Sequence, residues 1–255
     1  MAGNPNNKFK IMKNKNWNLK GGILIIGSLL WQDYLFTKGD NIRIKWRNLH
    51  LDYNNRIPVK LPIRYGRMSG SNPKIATMVF SNRMKNKKGV GFIVPFKNRI
   101  NNQEELLDEA KALSNAEGMN GNFVCNWGVL SYLLNKNIIQ DNIKKEIIKL
   151  FRNNRRNMIF NIKDFKVDRE RSCLTKSQKL DIDWIEASHP NDQKKADKFH
   201  FLLATVTKPK KNPPLTIKDI ATTIKSDVNR KYFINNLING IKTYEDFEIS
   251  KLINE

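Results

Sequence analysis

The rhythm of apolar and polar positions changes near residue 100. Between Ile23 and about Val94, short apolar stretches alternate with turn-forming residues: GILIIGSLL, IRIKWRNLHL, IPVKLPIRYGR, KIATMVFS and GVGFIVPF. Runs of this length, bounded by Gly, Pro and Asn, predict five β-strands. IRIKWRNLHL alternates, with Ile42, Ile44, Trp46 and Leu49 or Leu51 on its apolar side, which predicts a half-buried, kinked strand. Pro58, Pro62 and Pro73 place the third stretch at an edge or at bulges, because proline has no N–H for a ladder. Strands spaced like this, with no helix between them, predict a mixed or antiparallel sheet or a small barrel.

From Asn101 the period lengthens. NNQEELLDEAKALSNAEG opens with Asn and acidic residues, which suit a helix N-terminus, and Leu106, Leu107, Ala110 and Leu113 follow at helical spacing. WGVLSYLLN and NIKKEIIKLFRNNR read as two further short helices. FHFLLATVT (199–207) is a late strand too apolar to lie at an exposed edge, so it is expected to join the N-terminal strands. After KPKKNPP, two helical stretches are expected, TIKDIATTIKS with Thr216 as its cap and NRKYFINNLINGI, laid over the sheet through Ile217, Ile220, Ile224, Phe233, Leu237 and Ile241. The expected organisation is a flexible basic arm over 1–20 and one α+β domain over 21–255, with 165–255 an extension packed on the rest.

Composition narrows the function classes. The chain has 255 residues, enough for one large domain. No apolar stretch approaches the roughly 18–20 residues of a membrane span, and MAGNPNNKFKIMKNKNWNLK lacks the apolar segment of a secretory signal. A cytoplasmic protein with no membrane partner is expected. Cys125 and Cys173 are too few for a disulfide framework, and with His50, His189 and His200 they show no metal-ligand spacing. No metal site and no organic cofactor are expected. The net charge of +22 is the main anomaly, with basic clusters at 82–89, 144–156 and 207–211 that would attract nucleic acid, a nucleotide or another anionic partner. No zinc finger, RNP-type strand or GXXG loop accompanies them.

The stretch GGILIIGSLLW raises a chemical question, because the first strand stops at Gly27-Ser28-Leu29-Leu30. A residue without Cβ lets a ligand approach the main chain, and successive N–H groups there can hold a small polar group; a bulge or plain strand end uses the same residues. Further on, the strand Gly89 to Phe96 leads through KNRIN into a helix that ends in AKALSNAEGM, with Glu117 before Gly118. Over roughly residues 22–125 this order resembles the γ-glutamylcyclotransferase-like superfamily, the AIG2-like and butirosin-type barrels. In that family a first strand leads into Tyr-Gly-Ser, and a later helix ends in Leu-Asp-x-x-Glu-Gly, whose Glu is catalytic. Here Ile26 stands in place of the Tyr, and Ser114 in place of the Asp.

The resemblance implies a small mixed β-barrel with added C-terminal helices. It implies cyclisation of a γ-glutamyl-type amide to 5-oxoproline, with Glu117 as the acid/base and Gly27, Ser28 and Leu29 as the substrate-holding loop. Arg64, Tyr65 and Arg67 in PIRYGRMSGS are candidates for an anionic group on the substrate, since Arg can grip a carboxylate in two places; an edge strand with outward basic residues is the plainer alternative. Trp31, Trp46 and Trp127 read as core or pocket wall, Cys125 as a small buried residue, and His200 as a structural histidine near the late strand. A non-catalytic basic binding module on the same fold is the second reading.

Overall fold

β1 (Gly21–Ile25) is buried at every position and lies between two partners. It runs antiparallel to β5 (Gly89–Pro95), with Ile23 opposite Val94, and parallel to β8 (Phe201–Thr207), with Ile23 opposite Leu203. A strand bonded on both edges and covered on both faces has no solvated side, so its sequence is a continuous apolar run. The computed structural model describes residues 16–69, 74–82, 86–155, 160–166, 171–209 and 214–255. The clusters at 82–89, 144–156 and 207–211 and Pro73 fall partly or wholly outside them.

β6 (Gly128–Leu134) pairs antiparallel with β8, and β5 continues to β2 (Ile57–Leu61) and the short β7 (Glu186–Ala187). The result is a mixed six-stranded sheet in the order β6-β8-β1-β5-β2-β7. At Pro62 the chain leaves β2 for a hairpin of β3 (Ile63–Met68) and β4 (Ala76–Phe80). This hairpin reaches across to the other part of the sheet, where Thr207 Oγ1 donates to the Met78 carbonyl at 3.3 Å and Arg67 Nη1 to the Trp127 carbonyl at 2.9 Å. The architecture is α+β. In place of the expected small barrel, the described residues form an open six-stranded sheet with a two-stranded hairpin against it, and no closed barrel.

Two segments take the other regular structure from the one the pattern predicts. IRIKWRNLHL is not a strand but the helix α1 (Ile42–His50). Its buried side is Arg43, Trp46 and Arg47, a helical spacing hidden because two of the three are arginines, while Leu49 is 72 % exposed. WGVLSYLLN is not a helix but β6, buried at all seven positions, and a short apolar run buried on both faces carries no period that separates strand from helix.

Four of the other helices lie where the pattern puts them, and two, Pro190–Ala196 and Asp246–Asn254, are not among those it predicts. Asn102 caps α2 (Gln103–Ala116), its side chain accepting from Glu105 N–H at 2.9 Å. α3 (Asp141–Asn154) lays Phe151 against Tyr132 of β6, ring centroids 4.6 Å apart. Thr216 and Asp219 form a reciprocal capping box on α5 (Ile217–Ile224). α4 (Pro190–Ala196), α6 (Asp227–Ile238) and α7 (Asp246–Asn254) complete the set, and no helix among the described residues is long and apolar enough to cross a membrane. Of the expected arm over 1–20, residues 1–15 lie outside the described residues. Trp17 and Leu19 are buried, and Leu19 bridges to Ile100, so the packed chain starts ahead of Gly21.

The C-terminal part is woven into the sheet. Beyond the central position of β8, Val90 N–H donates to Lys242 O at 2.7 Å and Lys242 N–H returns to Val90 O at 3.0 Å. Gly89 permits this approach, since a Cβ there would lie 2.2 Å from the Lys242 carbonyl oxygen. Gly89→Ala should therefore cost about 2 kcal/mol or more, read as a lower urea midpoint, whereas Gly39→Ala, which meets nothing within 4 Å, should stay within about 0.5 kcal/mol of wild type. A fragment ending at residue 195 lacks β8 and should lose the cooperative transition; a fragment melting like the full chain would show that the first 195 residues fold without it.

Candidate functional site

Past β1 the chain turns through a short 3-10 segment, Ser28–Leu30, with Gly27 before it in extended conformation. α1 holds this turn with two arginines one helical turn apart. Arg47 Nη1 donates to the carbonyls of Leu29 (2.9 Å) and Gln32 (2.8 Å), and its Nη2 pairs with Asp33. Arg43 Nη1 donates to Ser28 Oγ at 3.0 Å and Gln32 Oε1 at 2.8 Å. The same guanidinium reaches α2, where Nε donates to the Ala116 carbonyl at 3.1 Å and Nη2 lies 3.3 Å from Glu117 Oε2. One buried cation thus ties the Gly-Ser turn to the end of the helix that carries Glu117.

Glu117 is the C-cap residue of α2, followed by Gly118 at φ +76°, a left-handed conformation that glycine adopts without strain. A carboxylate beside the negative end of a helix is unfavourable, and Arg43 offsets this by meeting both the last-turn carbonyl and the carboxylate. The side chain is only 17 % exposed. Burial pushes the Glu117 carboxyl above its ordinary value; the Arg43 charge, and then the nearby Thr205 hydroxyl, oppose the rise without cancelling it. Thr205 Oγ1 itself is buried and makes no hydrogen bond of good geometry among the described residues.

These groups line one cavity of about 310 Å³. Gly27, Ser28 and Leu29 form one wall, Arg43 and Glu117 a second, and Arg67, Thr205 and Thr207 on the strands a third. Arg67 is held by the carbonyls of Trp127 (2.9 Å) and Lys208 (3.4 Å) and sits over the Trp127 ring, its carbon 5.6 Å from the centroid. Burial lowers its pKa, and no carboxylate among the described residues pairs with it, so the cavity holds a cation without a counter-ion.

The cavity gathers Gly27, Ser28, Leu29, Arg67 and Glu117 from the sequence candidates and leaves out two. Arg64 is buried elsewhere, donating to Leu215 O at 2.9 Å and lying 3.4 Å from Glu245 Oε1. Tyr65 is fully buried, its hydroxyl accepting from Asn236 Nδ2 at 3.3 Å, and burial raises its phenol well above the ordinary value. Neither side chain lines the Glu117 cavity, whereas both are expected from the sequence to hold an anionic group beside Arg67. Cys125 has a thiol pushed up by burial, and His200 accepts from Lys20 N–H at 3.1 Å.

Several residues of the cavity have no counterpart among the sequence candidates, and two of them shape the Gly-Ser turn. Arg43 is hidden in the segment that alternates like a strand. Tyr232 comes from α6 in the C-terminal extension, stacks edge-on against Trp31 at 5.7 Å, and brings its hydroxyl so close that a Cβ at Gly27 would lie 2.9 Å from it. An aromatic hydroxyl therefore borders the Gly-Ser turn although Ile26 precedes it; the only sequence signal was a tyrosine beside an apolar helical stripe. No group of three or more His, Cys, Asp or Glu side chains among the described residues is placed to hold a metal ion. Comparison with protein-family models, with curated proteins and with solved structures gave no match.

Removing Arg43 should leave a buried carboxylate without its cation, so Arg43→Gln is expected to cost about 3 kcal/mol near neutral pH. The sign with pH follows from a raised carboxyl. A raised folded-state value gives stability that is present below the unfolded value and lost as pH rises through the folded one. Arg43→Gln should thus melt progressively lower than wild type as pH rises from about 4 to 7, and adding Glu117→Gln should recover part of the loss. A thermal melt series over that range checks both.

Proposed function

We propose that this protein is a γ-glutamylcyclotransferase-like enzyme that closes a γ-glutamyl-type amide to 5-oxoproline and releases an amine. The single observation that carries the reading is that Glu117, the Gly27–Leu29 turn and the unneutralised Arg67 border the same small cavity. In the proposed reaction Glu117 takes a proton from the substrate α-ammonium, and the freed amine attacks the side-chain amide carbonyl. A C–N bond forms, the amide oxygen becomes anionic beside the main-chain N–H groups of Ser28 and Leu29, and the original C–N bond breaks as Glu117 returns the proton to the leaving nitrogen. Glu117 then relays the second proton of the new ring nitrogen to the released amine, which leaves as an ammonium. Both reacting groups belong to one molecule, so the cavity has mainly to hold the folded conformer, and Arg67 is the natural partner of its α-carboxylate. No metal or organic cofactor is required by this chemistry. The γ-glutamylcyclotransferase-like fold assignment belongs to this proposal as well.

The test is 5-oxoproline release from a panel of γ-glutamyl amides. Glu117→Gln should lower kcat by about 10²-fold or more, and Arg67→Met should mainly raise KM. Burial raises the Glu117 carboxyl, so the rate should fall on the acid side at a pH above the ordinary glutamate range, because the ionised base is lost as pH drops through the raised value. No turnover by wild type across the panel would remove the cyclotransferase reading. The net charge of +22 favours a second reading, a non-catalytic module for an anionic partner, whose binding would weaken steeply with salt.

A further inference from the structure

A second cleft, of about 490 Å³, opens where the segment from Arg171 to Ala187 spans from β6 to β2. The span is fixed at both ends: Leu180 N–H donates to Tyr132 O at 2.8 Å, and Ala187 pairs with Val59. Its lining shares no residue with the Glu117 cavity. The floor is apolar, with Pro62, Leu133, Ile182 and Trp184, and the rim is basic.

The rim charges are not all balanced. Lys60 and Lys88 share one carboxylate, Glu186, at 2.5 and 3.0 Å, and Arg171 meets Asp181 at 3.2 Å. Asp183 is the remaining acid of the lining. Lys136 and Lys179 have no carboxylate within ion-pair distance among the described residues. Burial, and next the charge of Lys136, lower the Lys179 ammonium below its ordinary value, with Lys144 adding to the effect and Asp181 opposing it. Like charges held this close to an apolar floor are unfavourable until an anion lies between them.

We propose that this cleft is a binding site for a small phosphorylated ligand with an apolar or planar body, of the nucleoside monophosphate class. The phosphate would sit between Lys136 and Lys179, and the body would lie on the floor beside Trp184. The volume decides against a bare ion: the cleft is in the size range of small-molecule sites, roughly 300–1,000 Å³, and far larger than a phosphate needs.

Calorimetric titration of the full-length protein with AMP, adenosine and inorganic phosphate at low salt tests the proposal. AMP should bind at one saturable site, at least about tenfold tighter than adenosine or inorganic phosphate, since charge and apolar floor are used together. Lys136→Gln, at an exposed position, should weaken AMP about tenfold with an unchanged melting temperature, and Lys136→Gln/Lys179→Gln more. Glu117→Gln should leave AMP affinity as in wild type, which keeps this result independent of the cyclotransferase reading. Absence of AMP binding, AMP no tighter than inorganic phosphate, or affinity insensitive to both lysine variants would each overturn the proposal. So would duplex DNA that binds through the same lysines while AMP does not.

Discussion

The Arg43 guanidinium is the joint on which the rest of the site depends. It is buried, yet its donors reach a serine hydroxyl, a glutamine side chain, a helix carbonyl and a carboxylate, groups that belong to the turn after β1 and to the end of α2. Burying a cation is costly unless its donors are satisfied with good geometry. That requirement runs in both directions. The turn after β1 must present Ser28 and Gln32, and α2 must end at Ala116-Glu117, or the charge is stranded. Arg47 extends the same constraint one turn along α1, fixing the carbonyls of Leu29 and Gln32. The geometry of the turn is thus set less by its own residues than by the arginine pair beneath it.

Such a site cannot be assembled from a local piece of chain. Its walls come from β1 and the turn after it, α1, β3, β4, α2, β8 and α6, and the parallel pairing of β1 with β8 joins an early and a late part of the chain. The C-terminal extension is part of the cavity, because β8 supplies Thr205 and Thr207 and α6 supplies Tyr232. Trp31 Nε1 donates to Asn236 Oδ1 at 2.8 Å, and Asn236 Nδ2 donates to Tyr65, so the turn, α6 and β3 share one polar link through the core. Tyr65 has that structural duty and does not line the cavity.

The positive charge and the cavity are separate properties of the molecule. Only two arginines line the cavity, and one of them is neutralised by Glu117. Much of the excess charge lies on exposed lysines whose ion pairs, such as those of Glu186, sit in solvent and contribute little to stability. What these lysines do supply is a field that gathers anions, concentrated where burial keeps water from screening it.

The sequence by itself determined the elements whose period is unambiguous: β1, β4, β5, α2, the late strand and the capped helix at Thr216, whereas the single stretch it showed from Ile57 to Arg67 divides at Pro62 into β2 and β3. It also singled out Gly27, Ser28, Leu29, Arg67 and Glu117, since a glycine-serine strand end and a glutamate at a helix terminus are local features. Tertiary structure alone decided the rest. α1 buries arginines, which a pattern of apolar positions counts as outward, and β6 is covered on both faces, which erases its alternation. The open sheet in place of a barrel depends on how far the β3–β4 hairpin reaches toward β8, a relation between distant segments. Arg64 and Arg67 lie three positions apart on one strand, with the same chemistry and a register shift between them. Only packing sends one to Glu245 in the core and the other to the cavity, because which face of a strand meets a void is a property of everything that folds against it.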